Sequence, residues 1–347
     1  MKPENLKKPM IAAVVAIAGF IAFYYTTQVL LISGFPTDPR RAPNVDTRSK
    51  TVVQFAVLGD TGKQTSAQKQ IVASLANQCK IRGCDFLLLL GDNLYPSGMD
   101  DDRDPRMDAL VKEPYSSIGV PVYMVLGNHD YGSTLDRLRG IREVRWATRT
   151  KGFEMPSSTY FFGAGPVAFW AFDTTEIFWD KADYQEEWLR ESLPTVRAAW
   201  RFGFGHHPYR SNGPHGNAGT YEGLPAIPYA SGKSLQNFFE TQICGTFDIF
   251  FSGHDHSRQW IEHCNTGWVI SGAGATATGI KDRGNQALFE KGTEGFVWVE
   301  ATEKQITIAF YDAAGNLEFE GMRTKDGPIM PRPPIESVPA NPTGKEP

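Results

Sequence analysis

Five apolar runs in this chain end in the same way: "FAVLGD" closes on Asp60, "LLLLGD" on Asp92, "YMVLGN" on Asn128, "FGFGH" on His206 and "IFFSGH" on His254. Each run has the Val, Leu, Ile and Phe content of a strand buried on both faces, and each stops at a glycine followed by a side chain with a lone pair. After a single strand, such an Asp or Asn is an ordinary turn residue. Repeated five times, it constrains the fold. Sites in an open α/β sheet form outside the carboxyl ends of the strands, so strands sharing that edge bring sequence-distant ligands to one place.

The remaining pattern agrees with such a sheet. Strand-like segments at 52–58, 85–90, 121–126, 166–172, 200–204 and 247–252 alternate with helix-like segments at 66–78, 181–192 and 233–243, whose apolar residues recur at three- and four-residue intervals. Alternation of this kind predicts crossover units and a parallel or mixed sheet. Later, "GWVISGAG", "GFVWVEA" and "QITIAFYD" read as strand after strand. The expected architecture is an α/β, four-layer α-β-β-α sandwich with two packed mixed sheets over residues 51–326, its site at the carboxyl ends of the strands. Residues 36–50 read as a polar linker, and the Pro-rich stretch 327–347 as a flexible tail unable to add a ladder or helix.

The first segment is of another kind. Lys2, Lys7 and Lys8 precede an uncharged stretch from Pro9 to Thr37, and about 20 mainly apolar residues suffice to cross a bilayer. Residues 1–35 are therefore expected to form a cytoplasmic segment and transmembrane helix, with the rest outside the cytoplasm, periplasmic in a bacterium. A cleaved signal peptide, giving a secreted form, is the rival reading. The four cysteines fit an oxidising location: Cys79 with Cys84 and Cys244 with Cys264 lack zinc-finger spacing and are expected to pair as disulfides. A net charge of −4 with scattered Lys and Arg excludes a nucleic-acid stripe.

The candidate ligands are Asp60, Asp92, Tyr95, Asn128, His206, His254 and His256, all oxygen or imidazole donors without a thiolate. Such donors suit hard or borderline first-row ions rather than a structural cysteine-zinc site. Seven are too many for one ion and fit two ions sharing a carboxylate. Paired ions about 3.5–4 Å apart recur where in-line displacement at phosphorus is catalysed, which makes phosphate-ester hydrolysis the leading reaction class.

"GDTG" (59–62), "GDNLY" (91–95), "GNHD" (127–130), "GHHP" (205–208) and "GHDH" (253–256) resemble, in order, the five motifs of purple acid phosphatases within the calcineurin-like metallophosphoesterase superfamily. The small tartrate-resistant type is most similar, over roughly residues 50–310. The resemblance implies a ferric ion held by Asp60, Asp92, Tyr95 and His256, and a divalent ion (Fe, Zn or Mn) held by Asp92, Asn128, His206 and His254. Donor chemistry supports the split: two carboxylates and a phenolate suit a trivalent ion, an amide oxygen and two imidazoles a divalent one. The resemblance further implies that His129 is a catalytic histidine facing substrate, and that His215 is a second one that donates a proton. Thr61, Leu94 and His207 depart from the family pattern without removing a ligand and are expected to line the pocket.

Two other signals carry less. "GAGATATG" (272–279) has a dinucleotide-like spacing but no amphipathic helix after it, so a loop near the metals is expected instead. "MDDDRDPRMD" (99–108) lacks calcium-loop spacing and reads as a solvated acidic loop. The expectation as a whole is an extracytoplasmic, monomeric acid phosphatase that cleaves small phosphate monoesters by in-line attack of a metal-bound hydroxide. A phosphodiesterase of the same fold, and a non-catalytic extracellular binding module, are the alternatives.

Overall fold

The computed structural model describes residues 39–47, 51–132, 138–223, 228–325 and 330–332, together with Gly19. One mixed sheet contains β2 (Val52–Leu58), β3 (Phe86–Leu89), β4 (Val122–Met124) and β5 (Phe153–Glu154) in parallel. The antiparallel strands β13 (Gly295–Thr302), β14 (Gln305–Asp312), β15 (Leu317–Thr324) and β16 (Met330–Arg332) continue it beyond β2. In the other sheet, β7 (Val167–Ala171), β8 (Trp200–Phe204), β9 (Ile249–Ser252) and β11 (Thr266–Ser271) run parallel. The pair β1 (Arg40–Arg41) and β6 (Tyr160–Ala164) flanks them on one side, and β10 (Arg258–His263) with β12 (Ala287–Lys291) on the other. The expected strands form within a residue or two of their predicted bounds, and the two-sheet architecture is as expected.

The sheets face each other across an aromatic seam. Phe55 meets Phe169 and Phe251 edge-on, with ring centroids 5.3 and 5.8 Å apart, and Phe86 meets Phe162 at 5.6 Å. Edge-to-face pairs of this kind add about 0.5–1.5 kcal/mol each beyond the area they bury. Helix α1 (Ser66–Arg82) covers the first sheet through Ile71 and Leu75. Its first turn is capped by Thr65, whose Oγ1 accepts from the Gln68 amide at 3.0 Å, and Gly83 at φ 90° ends it. Helix α2 (Leu138–Arg149) had no counterpart among the expected segments.

The outer face of the second sheet carries its own apolar cluster, in which Trp170, Phe172, Phe250 and Trp268 pack under α3 (Thr174–Phe178), α4 (Asp183–Ser192) and α5 (Lys233–Phe238). After Phe238 the helix widens by one residue, with the Cys244 amide bonding to the Phe239 carbonyl at 2.8 Å, and both phenylalanines enter the core. Cys79–Cys84 and Cys244–Cys264 are the two disulfides.

Two expectations about the ends change. Residues 40–41 of the linker pair with β6, and Ala42 donates to the Phe161 carbonyl at 2.9 Å, so part of the linker is docked on the sheet. The tail contributes β16, with Pro331 opposite Gly321; proline is tolerated there because an edge strand leaves one row of amides unpaired. The expected transmembrane helix lies outside the described residues, apart from Gly19. Among the described residues no helix is long and apolar enough to cross a membrane.

Candidate metal centre

All five Gly-ligand junctions sit at the carboxyl ends of β2, β3, β4, β8 and β9, on one edge of the sandwich. The loops are stitched together by backbone hydrogen bonds, including Asp60 N–H to the Gly91 carbonyl at 3.0 Å and Gly253 N–H to the His206 carbonyl at 2.9 Å. Gly91 adopts φ +84°, and a Cβ on Gly127 would lie 2.2 Å from Asp92 Oδ1, so at these junctions only glycine allows the required turn and approach. Asp60, Asp92 and His254 themselves take positive φ values of 58°, 53° and 67°. For non-glycine residues this backbone strain is tolerated where the surrounding structure fixes it, and it clusters at functional sites.

The side chains converge in two groups. In one, the Tyr95 hydroxyl lies 2.7 Å from Asp92 Oδ2, 3.1 Å from Asp60 Oδ1 and 3.0 Å from His256 Nε2. In the other, Asn128 Oδ1 lies 3.0 Å from His206 Nε2 and 3.1 Å from His254 Nδ1, and His206 Nε2 is 3.5 Å from Asp92 Oδ1. Asp92 thus faces both groups through different oxygens. The His206 Nδ1–H donates to the Leu90 carbonyl at 2.9 Å, which leaves Nε2 as the free donor atom turned inward. Asp60, Asp92 and His206 each present one such atom within 4.8 Å of the others, and all three are buried.

The electrostatics suit a cation. Burial works against ionising Asp60, but the imidazoles of His256 and His206 hold its carboxyl below the usual value. Burial, and then the charges on Asp60 and Asp92, push the Tyr95 phenol far above its ordinary range. Burial and the neighbouring histidines keep His254 neutral, with a lone pair available. A multivalent ion between these groups would offset the repulsion of two buried carboxylates and reverse the field at Tyr95. The donors present therefore fit a pair of metal ions.

His129 and His215 flank the two groups. The His129 ring lies 4.5 Å from that of Tyr95, its Nδ1–H donating to the Pro96 carbonyl at 2.6 Å and its backbone amide to Asp92 Oδ1 at 2.9 Å. His215 stacks on His254 with centroids 4.1 Å apart and hydrogen-bonds Glu222 through Nδ1. Beside them opens a cleft of ≈ 320 Å³ lined by Asn128, His254, His215, Phe178, Trp179 and Tyr221, among others. Of the three departures from the family pattern, His207 alone lines this cleft; Thr61 and Leu94 are fully buried and do not border it.

Several supporting residues lie inside the quoted motifs, yet their motif positions alone do not give their roles. Asn93, next to Asp92, donates to Glu143 Oε1 at 2.7 Å and to Asp130 Oδ2 at 3.3 Å, while Asp130 accepts from the Gly127 and Leu94 amides. Asp255, between the two histidines of "GHDH", accepts from Ser211 Oγ and from the His215 amide, fixing the loop that carries His215. The 272–279 segment is a loop at the centre, as expected: Thr276 Oγ1 sits 3.1 Å from His256 Nδ1. The acidic loop is only partly solvated, since Asp104 is buried and Arg106 and Arg139 pair with Asp100.

A two-sheet sandwich with carboxylate, amide and imidazole donors gathered at one strand-end edge defines a metal-dependent hydrolase architecture. The family model of the calcineurin-like phosphoesterases matches residues 53–258, and the chain belongs to that family. Among curated relatives, human tartrate-resistant acid phosphatase type 5 is 25% identical over 321 residues, covering 80% of this chain and 93% of that protein. Purple acid phosphatase 7 of Arabidopsis thaliana is 27% identical over 309 residues, covering 79% and 86%. Among solved structures, GAP50, the anchor in the inner membrane complex of Plasmodium, superposes with a TM-score of 0.63 at 21% identity, covering 78% of this chain and 88% of that one. PhoD superposes at 0.56 with 13% identity, covering 81% and 71%. The chain is a phosphoric-ester hydrolase similar to the purple acid phosphatases, whose kinship implies a dinuclear metal centre and a small phosphorylated substrate.

Proposed function

We propose that this protein is an extracytoplasmic acid phosphatase for phosphate monoesters, with Asp60, Asp92, Tyr95 and His256 holding a ferric ion and Asp92, Asn128, His206 and His254 a divalent one. The observation that carries this reading is the division of the donors into an oxygen-rich and a nitrogen-rich group that share Asp92. When bound, the ions supply positive charge for the phosphate oxygens and acidify water for in-line attack. The chain's own residues position the ester. Asn93, Asp130 and Leu90 hold the ligand-bearing loops, His129 keeps Nε2 available because Nδ1 is committed to the Pro96 carbonyl, and the cleft beside His215 receives the leaving group. His215 is the proton donor for that leaving group, oriented by Glu222.

The test is a panel of phosphomonoesters and phosphodiesters assayed from acid to neutral pH with and without chelator. Metal-dependent turnover of monoesters over diesters supports the reading. Diester preference would make the protein a phosphodiesterase, and turnover of neither by the metal-loaded protein would make it a binding module.

The extracytoplasmic setting is supported by two disulfides, and membrane attachment through residues 1–35 by Lys2, Lys7 and Lys8 preceding the apolar stretch. In cell fractions the full-length chain should sediment with membranes and be cut by protease only from the outer side. A soluble mature form lacking residues 1–34 would establish cleavage instead.

A further inference from the structure

Lys63, which directly follows the "GDTG" motif, is not a ligand candidate, yet its ammonium sits against the oxygen-rich group. Its Nζ lies 4.2 Å from the centroid of the Tyr95 ring and 3.2 Å from Thr276 Oγ1. That hydroxyl is itself 3.1 Å from His256 Nδ1, so one lysine touches the phenol directly and the imidazole through a single oxygen. The placement is built rather than accidental. Thr65 Oγ1 donates to the Ala275 carbonyl at 2.7 Å and the Gly274 amide to the Gly59 carbonyl at 3.1 Å, clamping the loop that bears Lys63 to the loop that bears Thr276. The side chain is half-buried, which weakens solvent screening of its charge at this distance.

We propose that Lys63 is an electrostatic tuning residue for the trivalent metal site, acting on the Tyr95 phenolate through its ring face. The inference rests on the reading of Tyr95 as a ferric ligand. A cation over an aromatic face stabilises the ring's electron density. Stabilising the phenolate donor level raises the energy of tyrosinate-to-iron charge transfer and moves the visible band to shorter wavelength. The same charge favours the state of the site that has gained an electron, so it raises the reduction potential. Lys63 therefore sets both the colour and the ease of reduction without binding either ion.

The experiment compares wild type, Lys63→Met and Lys63→Arg as full-length protein loaded with iron, by metal analysis, visible spectrum and potentiometric titration with dithionite. Lys63→Met should keep its iron content, shift the band to longer wavelength and lower the potential, and Lys63→Arg should restore most of both shifts because it restores the charge. An unshifted band and potential in Lys63→Met would overturn the proposal. If that variant also shows a raised KM for a phosphomonoester with the substrate-free spectrum unchanged, the lysine is a contact for the substrate phosphate instead. A wild type that binds ferric iron without any tyrosinate band would sink the Tyr95 assignment itself, which is a different result.

Discussion

Asn93 donates to Glu143 Oε1 at 2.7 Å in a region where neither residue has exposed surface, and the same amide nitrogen reaches Asp130. Two carboxyls thus meet around one amide directly behind the turn that carries Asp92. Burial, followed by the charge of Glu143, drives Asp130 well above the carboxylate range, and burial pushes Glu143 from 4.5 up to about 8. The pair is a proton-retaining support for the loops, and its charge state ties stability to pH.

The sign follows from proton counting. Between roughly 4.5 and 8 the folded chain keeps a proton on Glu143 that the unfolded chain has released, so stability falls as pH rises, by at most about 1.4 kcal/mol per pH unit; below that window the effect vanishes. In thermal melts of the metal-free protein this contribution to Tm should decline from pH 5 to pH 8, against the opposite contribution of His207 and His254, which burial keeps neutral. Glu143→Gln preserves an acceptor toward Asn93 and should make that decline shallower. An unchanged slope in the variant would show that the proton is not held at Glu143.

Asp92 is the residue that faces both donor groups, with Oδ2 toward Tyr95 and Oδ1 toward His206. Asp92→Ala should deplete both ions and abolish hydrolysis, whereas His129→Ala should retain both ions and lose mainly kcat, about 10²- to 10⁴-fold if the ring acts on the reacting phosphate. Metal analysis alongside steady-state kinetics separates the two. Near-normal turnover with two ions in Asp92→Ala would rule out a shared carboxylate.

The strands, the packed sheets and the converging ligands were legible because each depends on a local signal: a run of buried residues, then glycine, then a donor. Lys63, Glu143 and Glu222 were not, because their roles come from tertiary neighbours up to 213 residues away, as with Lys63 and Thr276, and a lone charged residue carries no periodicity. Helix α2 was missed although its helical face is strongly apolar on one side, with Ile141, Val144 and Ala147 at three-residue spacing, since its interior arginines mask the stripe. The tail strand was missed because proline argues against a ladder in general but not at an edge.

Cys244–Cys264 joins the end of the widened α5 segment to the hairpin between β10 and β11, closing a separation of 20 residues. Loop-closure entropy for that length amounts to about 3 kcal/mol. Replacing both cysteines by serine should lower the unfolding free energy by that order in urea titrations while leaving the loops at the candidate metal centre in place. A loss under about 1 kcal/mol would show that Phe239 and Trp268, whose rings meet at 5.3 Å, hold the hairpin without the covalent tie.

The Tyr95 hydroxyl lies among Asp60, Asp92 and His256, where it either donates its proton to a carboxylate or serves as a ligand to a cation between them. In the absence of a cation the first arrangement wins, since Asp60 and Asp92 disfavour the phenolate. A trivalent ion bound directly to the oxygen reverses that preference, and a ferric tyrosinate absorbs visible light. The iron-loaded oxidised protein should therefore be pink to purple. Tyr95→Phe removes one hydroxyl and leaves the ring between Lys63 and His129, so the fold and much of the metal content should survive while the colour is lost. Metal analysis, the visible spectrum and the phosphatase rate, read on the same samples, decide the matter. A variant that stays coloured, or a wild type with verified ferric iron and no tyrosinate band, would return Tyr95 to a packing role.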